Sequence, residues 1–306
     1  KRDWVESGEL KAWIEKGVRG LTSNPSIFEK AISDSEAYDQ QFTSLIRDGV
    51  SVEEAYWKLV QTDISSALAL LKPIHESSNG VDGFVSVEVD PRLARDTDAT
   101  INAARALDDQ LDSPNLYIKI PGTKEGLPAI KQMIREGRSV NVTLLFSIER
   151  YSEVIDAYMS GLEMMEGDLA QVSSVASFFI SRTETEIDAR LDEIGTEGAL
   201  NCKGKAAVAQ GQLAYKLFLN QFNTERWAAL EARGARLQRP LWASTSTKNP
   251  QYPDTMYVDQ LIGPDTVNTL PDNTLSAFMD HGTLSRTIDT SFEKASETLV
   301  SIENLG

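Results

Sequence analysis

Short apolar segments alternate with amphipathic helical segments along nearly the whole chain of 306 residues. The segments that we interpret as strands are residues 18–21, 84–89, 116–120, 140–144, 172–179, 240–243 and 266–270. Apolar residues recur at helical spacing between them, for example in residues 125–135, 148–164 and 203–232. Strands that alternate with helices form βαβ units and a parallel sheet. Since neither a flexible linker nor a repeat of fixed length interrupts the series, the sequence predicts one domain.

A lysine, Lys119, stands in the middle of the third predicted strand, within the sequence NLYIKIPGT. This strand is apolar on both faces and ends at Pro-Gly, a pattern typical of a parallel sheet covered by helices. Burial of an ammonium group is costly, and loss of the proton relieves that cost. A neutral lysine is a nucleophile that can form a Schiff base with a carbonyl substrate. The alternative is that Lys119 lies at a strand end, with its stem buried and its charge in solvent.

The charge of the chain limits the partners that it can take. Lys and Arg number 30 and Asp and Glu number 46, which gives a formal net charge of −16. Such a surface repels nucleic acid and anionic membranes, so an anionic metabolite would bind only at a locally basic pocket. No apolar run approaches the ~20 residues of a membrane-spanning helix. We therefore expect a protein that binds neither nucleic acid nor membranes.

The chain is poor in the residues that bind metals or attack substrates as thiolates. Its single cysteine, Cys202, excludes an intramolecular disulfide and fits a reducing compartment, a cytoplasm or a plastid stroma. The only histidines are His75 and His281, and no His/Cys cluster has the spacing of metal ligands. We therefore interpret Cys202 as a passive residue and predict no metal site.

Polar side chains lie at or near the ends of most predicted strands, where a (β/α)8 barrel carries its chemistry. Asn141 and Thr143 alternate with apolar neighbours, so both point to one face of their strand. Serines near Arg182 and Lys248 could hold a phosphate through their hydroxyls and backbone N–H groups. Taken singly, each of these residues is more often a helix cap or a turn residue. Together they predict a polar ring around Lys119.

Seven stretches of the sequence resemble transaldolases, in order and at consistent spacing over nearly the whole chain. They are residues 20–28 (GLTSNPSIF), 87–91 (VEVDP), 118–123 (IKIPGT), 141–146 (NVTLLF), 174–179 (SVASFF), 241–245 (LWAST) and 263–269 (GPDTVNT). The likeness is greatest to the branch that includes bacterial and plastid enzymes and fusions to phosphoglucose isomerase. The resemblance implies a (β/α)8 TIM barrel of the class I aldolase type, which moves a dihydroxyacetone unit between sugar phosphates in the pentose phosphate pathway without a cofactor.

The resemblance also implies a role for each residue of the predicted site. Lys119 matches the Schiff-base lysine of the family, and Glu88 and Thr143 match the pair that positions the water used in proton transfers. The residues expected to bind the dihydroxyacetone unit are Thr22, Asn24, Asn141 and Ser177. Those expected to bind the phosphate are Arg182, Ser244 and Lys248. Other branches of the family carry an arginine where this chain has Lys248, so a single ammonium group replaces a guanidinium fork there.

Two parts of the family pattern fall outside this sequence. The seven predicted strands are one fewer than the barrel requires, and the family's first strand, which carries an acid/base aspartate, is expected just before residue 1. Asp3 is a poor substitute for that aspartate because it begins or caps a helix. Residues 292–304 are predicted as a helix, after which the family usually continues with at least one more. We therefore expect one barrel domain over residues 1–306, without its N-terminal strand and its C-terminal helix.

Three functions remain open on this basis. The first is a transaldolase, which catalyses sedoheptulose 7-phosphate + glyceraldehyde 3-phosphate ⇌ erythrose 4-phosphate + fructose 6-phosphate. The second is a lyase resembling fructose 6-phosphate aldolase, which would use the same lysine and release free dihydroxyacetone. The third is a catalytically silent barrel that serves as a scaffold or regulatory domain. Three candidate phosphate-binding residues favour the transferase, with sugar phosphates as its substrates. We expect a monomer or homodimer.

Overall fold

The computed structural model describes residues 2–306, which form one parallel sheet with helices packed against it. The seven strands lie in the sheet in the order of the chain: β1 Gly20–Thr22, β2 Phe84–Glu88, β3 Leu116–Pro121, β4 Val140–Leu145, β5 Ser174–Phe179, β6 Gln238–Ala243 and β7 Val267–Asn268. Every pair of neighbours is parallel. The seven predicted strands and the α/β class are thus confirmed, and the strand ends agree to within two residues.

Helices lie before, between and after the strands, and at least one connects every two successive strands, as βαβ units require. They are α1 Arg2–Glu6, α2 Glu9–Glu15, α3 Pro25–Asp34, α4 Asp39–Arg47, α5 Val52–Ser77, α6 Thr97–Leu111, α7 Gly126–Arg135, α8 Ile148–Met164, α9 Ser181–Ile194, α10 Glu197–Leu200, α11 Ala206–Gln221, α12 Glu225–Glu231, α13 Met256–Gln260, α14 Asp272–His281 and α15 Phe292–Glu303. None of them combines the length and the apolar character that crossing a membrane demands, a statement limited to residues 2–306.

The helical stretch predicted over residues 203–232 is two helices. Helix α11 ends at Gln221, and α12 begins at Glu225. The hydroxyl of Thr224 accepts a hydrogen bond from the backbone N–H of Trp227 and so caps α12. Because an N-cap residue takes an extended backbone conformation, a threonine in this role starts a new helix and does not continue the old one.

The two faces of the sheet differ in character. The outer face packs apolar side chains such as Val87, Ile118 and Val142 against the helices. On the inner face, β2 carries Phe84 and then Ser86 and Glu88 at alternate positions, so its side chains change from apolar to polar toward the carboxyl end of the strand. This change leaves the polar groups at the end where a barrel has its active site.

The sheet curls so that its first and last strands approach each other. Among residues 2–306, no strand pairs with the outer edges of β1 and β7. Instead, the hydroxyl of Thr22 at the end of β1 lies 2.8 Å from the hydroxyl of Thr269, which follows β7. The two edges therefore meet at the polar end of the sheet through side chains and not through a backbone ladder.

The first helix is joined to α5 by a buried ion pair. Arg2 donates to Asp63 on α5 at 2.8 Å, and the Tyr38 hydroxyl donates to the other oxygen of the same carboxylate at 2.7 Å. Asp3 lies in the first turn of α1, as predicted from its position before an amphipathic segment.

Candidate active site

Lys119 and Glu88 are direct neighbours on the inner face of the sheet. They pair in register between β2 and β3, and the Nζ atom of Lys119 donates to Oε2 of Glu88 at 2.9 Å. The same Nζ donates to the backbone carbonyl of Ser23 at 3.1 Å. Lys119 is 8% exposed and Glu88 is 9% exposed. Lys119 is therefore a buried mid-strand residue, which excludes the alternative of a charge held in solvent.

A carboxylate and a backbone carbonyl lie within hydrogen-bond distance of this buried lysine, whose loss of the proton stays a prediction. A buried ammonium group is stabilised when a carboxylate and a carbonyl oxygen satisfy its donors. The same carboxylate lies within hydrogen-bond distance, so it can accept the proton whose departure makes the amine nucleophilic. The pair thus combines a stable resting arrangement with a route to the reactive form.

Asn141 is held in one orientation by two hydroxyl groups. Its Nδ2 atom donates to Oγ of Ser86 at 3.0 Å, and its Oδ1 atom accepts from Oγ of Ser177 at 2.7 Å. All three side chains are buried. The predicted binding residues Asn141 and Ser177 are thus brought together, and Ser86 joins them.

Thr143 is buried, and its hydroxyl has no hydrogen-bond partner among the side chains and backbone groups of residues 2–306. Next to it, β4 shifts its register against β5 between Val142 and Leu145, and Leu144 takes a left-handed conformation with φ 61°. Bulges and left-handed residues of this kind concentrate beside active sites. A buried hydroxyl without a partner costs about 1–3 kcal/mol unless a ligand or a water satisfies it. Thr143 is therefore a group that can bind one.

Thr22 and Asn24 follow β1 and make different contacts. Thr22 takes part in the contact with Thr269 at the sheet edge. Asn24 caps α3, because its Oδ1 accepts from the backbone N–H of Ile27 at 2.9 Å. The cap occupies the carbonyl oxygen of the Asn24 side chain and leaves its amide nitrogen as a donor.

The predicted phosphate residues follow two neighbouring strands. The register pairs Phe179 of β5 with Ala243 of β6, so the segments after these strands begin side by side. Arg182 is exposed in the first turn of α9, with its guanidinium 5.1 Å from the ring centre of Phe179. Lys248 is exposed and forms no ion pair within residues 2–306.

Ser244 is half-buried and takes a left-handed conformation with φ 57°. Its hydroxyl lies 2.8 Å from the hydroxyl of Ser181, and its carbonyl accepts the backbone N–H of Ser181, also at 2.8 Å. Both contacts link the end of β6 to the start of α9.

Three contributors to this site were not singled out from the sequence. Ser86 could have been found, since it lies two positions before Glu88 and must share its face. Ser23 contributes through its backbone carbonyl, which no side-chain pattern reveals. Thr269 contacts Thr22 across 247 positions of the chain.

In the part of the chain that the structure describes, no group of three His, Cys, Asp or Glu side chains could hold a metal ion.

A further buried carboxylate lies on α9, two positions after the predicted phosphate-binding residue Arg182. Glu184 on α9 is 1% exposed, and its two oxygens accept the backbone N–H groups of Ala206 and Ala207 at 3.2 and 3.1 Å. The pKa of Glu184 is raised from 4.5 to about 7, because burial and the charge of the nearby Asp188 raise it by more than these two hydrogen bonds lower it. The folded protein therefore holds the Glu184 proton more tightly than the unfolded chain does.

This difference predicts how stability changes with pH. The contribution of a raised carboxyl pKa is fully present below the unfolded value and is lost as pH rises through the folded value. We expect the free energy of unfolding of the wild type to fall by roughly 2 kcal/mol relative to Glu184→Gln between about pH 5 and 8. Urea unfolding at several pH values measures the difference. Glu186→Gln, which alters an exposed carboxylate on the same helix, is the control. If the difference in the free energy of unfolding between wild type and Glu184→Gln did not change with pH, the prediction would be wrong.

Residues 2–306 match a family model described as Transaldolase/Fructose-6-phosphate aldolase. The chain belongs to this family. It is 52% identical over 310 residues to a protein of Acidothermus cellulolyticus named Transaldolase, in a match covering 100% of this chain and 83% of that protein. It is also 50% identical to a Transaldolase of Thermobifida fusca and to Transaldolase 2 of Streptomyces coelicolor, again over the whole chain and over 84% and 83% of theirs. The resemblance to transaldolases is thereby confirmed.

Proposed function

We propose that this protein is a transaldolase, a transferase that moves a dihydroxyacetone unit between sugar phosphates through a Schiff base on Lys119. The observation that carries the proposal is the buried contact of 2.9 Å between Lys119 and Glu88 at the polar end of the inner face. A nucleophilic amine beside a proton acceptor is the arrangement that imine chemistry requires. The family membership and the names of the relatives support the same reaction.

In the proposed reaction, the Lys119 amine attacks the C2 carbonyl of fructose 6-phosphate, and water leaves to give a protonated imine. This cation accepts the electron pair of the C3–C4 bond when the C4 hydroxyl loses its proton. Glyceraldehyde 3-phosphate departs, and the three-carbon unit remains on Lys119 as an enamine. The enamine then attacks the aldehyde carbon of erythrose 4-phosphate, and water releases sedoheptulose 7-phosphate and the free amine.

The polar ring supplies the proton transfers and the fit of the sugar. Glu88 would take the ammonium proton of Lys119 and, with Thr143, hold the water that enters and leaves. The free hydroxyl of Thr143 supports this role, because it has no competing partner in the described chain. A positioned acid or base of this kind contributes roughly 10²–10⁴-fold to rate.

The hydroxyl groups of the dihydroxyacetone unit would be held by Asn24, Asn141, Ser177 and Thr22. Asn141 is oriented in advance by Ser86 and Ser177. Pre-oriented donors lower the barrier because they are not reorganised during the reaction.

The phosphate would bind between α9 and the segment after β6, at Arg182, Ser244 and Lys248. The net charge of −16 makes a locally basic pocket necessary for an anionic substrate. Arg182 and Lys248 supply two positive charges without carboxylate partners in residues 2–306. The distance of Arg182 and Lys248 from Lys119 would determine how long a sugar phosphate the site can bind.

We further propose that the sheet is the larger part of a (β/α)8 TIM barrel of the class I aldolase type, closed by an eighth strand that carries an acid/base aspartate. The unpaired edges of β1 and β7 support this proposal, since free edges of a parallel sheet are rarely left uncovered. Two strand spacings of about 4.8 Å would then separate β1 from β7. The Thr22–Thr269 hydrogen bond would give way to backbone pairing, which frees Thr22 for the substrate.

Four further expectations stay predictions: the additional C-terminal helix, the single domain over residues 1–306, the cellular location, and the monomer or homodimer.

A second function is an aldolase that releases free dihydroxyacetone, since the matching family description also names fructose 6-phosphate aldolase. A single experiment separates the two. The protein is incubated with fructose 6-phosphate, with and without erythrose 4-phosphate, and the products are quantified. A transaldolase forms sedoheptulose 7-phosphate only when the acceptor is present. Equal release of glyceraldehyde 3-phosphate and free dihydroxyacetone without acceptor would favour the aldolase, and no product at all would favour the silent barrel.

Arg182→Ala is expected to raise the KM for fructose 6-phosphate by roughly 10- to 100-fold, with a smaller effect on kcat. The loss corresponds to the hydrogen bonds of one charged group to a phosphate. Arg190→Ala is a matched control on the same helix, because Arg190 is exposed and forms an ion pair with the exposed Glu186. Steady-state kinetics measure both. An unchanged KM in Arg182→Ala would remove this arginine from the phosphate site.

A further inference from the structure

Helix α9 presents two buried carboxylates behind the exposed Arg182. Glu184 and Asp188 lie one turn apart on the inward face, and they are 1% and 8% exposed. Buried carboxylates are normally held by specific partners. The partners of Glu184 lie at the start of α11, whereas one partner of Asp188 lies in the segment that carries Lys248.

Asp188 accepts two hydrogen bonds from outside its own helix. One comes from the backbone N–H of Gly204 at 3.0 Å, and the other comes from the hydroxyl of Tyr252. The Tyr252 ring lies directly against Gly204, where a side-chain carbon would approach the ring to 2.9 Å. Gly204 also takes a left-handed conformation with φ 72°, so glycine suits this position on both grounds. The contact between Tyr252 and Asp188 is therefore closely packed.

Tyr252 lies in the segment between β6 and α13, which also carries Ser244 and Lys248. At its beginning, this segment is joined to α9 by the contacts between Ser244 and Ser181. Near its end, it is joined to the same helix by the hydrogen bond from Tyr252 to Asp188. Lys248 lies between the two attachments. A turn in which Tyr252 N–H donates to the carbonyl of Asn249 at 3.1 Å connects Lys248 to the second one.

We infer that Tyr252 and Asp188 are positioning residues of the phosphate site: their hydrogen bond holds the segment bearing Lys248 against the helix bearing Arg182. The inference rests on the proposed function, because it assigns these residues to the binding of a phosphorylated sugar. It gives a role to a buried aspartate that lies beside an acidic neighbour and forms no ion pair within residues 2–306. It also explains how an exposed lysine on an irregular segment can be held in a fixed place.

The electrostatic surroundings favour Tyr252 as the donor of this bond. Burial raises the pKa of Tyr252, and its hydrogen bond to Asp188 and the charges of Asp188 and Glu184 raise it further. The hydroxyl therefore keeps its proton in any ordinary assay. Tyr257 is a further titratable group beside these carboxylates. Burial raises the pKa of Tyr257, and the charges of Glu184, Asp188 and Tyr252 raise it further. No hydrogen bond of the Tyr257 hydroxyl occurs within residues 2–306, which makes this residue a suitable control.

The test is the variant Tyr252→Phe, which removes the hydroxyl and keeps the ring against Gly204. We expect the KM for fructose 6-phosphate to rise roughly 10-fold while kcat changes less than about 2-fold, because one hydrogen bond to a charged group is lost away from the reacting atoms. Tyr257→Phe, beside the same carboxylates, should leave both constants unchanged. Borohydride trapping of dihydroxyacetone, a ketone without a phosphate, should label Tyr252→Phe and wild type equally.

Asp188→Leu, which removes the acceptor that an asparagine would keep, provides a second route to the same hydrogen bond. Its effect on KM and that of Tyr252→Phe should be less than additive in the double variant, since both changes break this hydrogen bond. Circular dichroism and thermal unfolding establish that each variant is folded. An unchanged KM in folded Tyr252→Phe would overturn the inference. So would a loss of dihydroxyacetone trapping in this variant as large as its loss of affinity for fructose 6-phosphate. A wild type that fails to form any adduct would instead overturn the proposed function, and this inference with it.

Discussion

Replacement of Lys119 by methionine is expected to abolish the turnover of fructose 6-phosphate, with a loss of roughly 10⁴-fold or more, as for other catalytic nucleophiles. Lys119 is the only buried lysine among residues 2–306, so no other amine is in place to form the imine. Methionine keeps most of the volume of the lysine stem and cannot attack a carbonyl. A coupled assay for glyceraldehyde 3-phosphate release measures the loss.

The same substitution leaves Glu88 without its partner. Removing one member of a buried ion pair costs about 3–5 kcal/mol unless the remaining group takes up a proton. Thermal unfolding of Lys119→Met therefore has to accompany the assay, so that inactivity is not confused with unfolding. Lys124→Met is the matched control, because Lys124 is exposed on the segment after the same strand. Turnover above a hundredth of the wild-type rate in folded Lys119→Met would exclude the Schiff-base mechanism at this residue.

Glu88→Gln is expected to lower kcat by roughly 10²–10⁴-fold, with little change in the KM for fructose 6-phosphate. Glutamine has nearly the same shape and can still accept a hydrogen bond from Lys119, but it cannot take the ammonium proton. Both formation of the imine and the later proton transfers should therefore slow down. Single-turnover trapping with borohydride, followed over time, measures the rate of adduct formation directly.

The control for this variant is Glu125→Gln, which changes an exposed carboxylate near the start of α7. It should leave kcat within about 2-fold of the wild type, since an exposed side chain of this kind contributes little. If Glu88→Gln retained kcat within 5-fold, the role of proton acceptor would pass to another group. The aspartate expected on the proposed eighth strand would be the first candidate.

The polar ring shows where sequence reasoning succeeds. Alternation along a strand placed Asn141 and Thr143 on one face, and the structure puts both on the inner side of β4. The resemblance to transaldolases implied that Glu88 and Lys119 belong to one site. Their contact at 2.9 Å depends on the register of β2 against β3, which the composition of either strand alone does not determine.

Other features could not be predicted because they depend on tertiary contacts. The left-handed Leu144 and the bulge beside Thr143 occur at a leucine, a residue with no preference for that conformation. The hydrogen bond between Tyr252 and Asp188 joins residues 64 positions apart, and an aspartate on an amphipathic helix is ordinarily a surface residue. The contact between Thr22 and Thr269 likewise could not be predicted, because it depends on the curl of the sheet.

The measurement that tests the central proposal most directly is borohydride reduction in the presence of fructose 6-phosphate, followed by intact mass and peptide mapping. The experiment uses the full natural chain, with Lys119→Met as the parallel sample. We expect one reduced three-carbon adduct per chain, on the peptide that contains Lys119, and we expect it to disappear when erythrose 4-phosphate is added before the reductant. An adduct on a different lysine, or none on a folded protein, would contradict it.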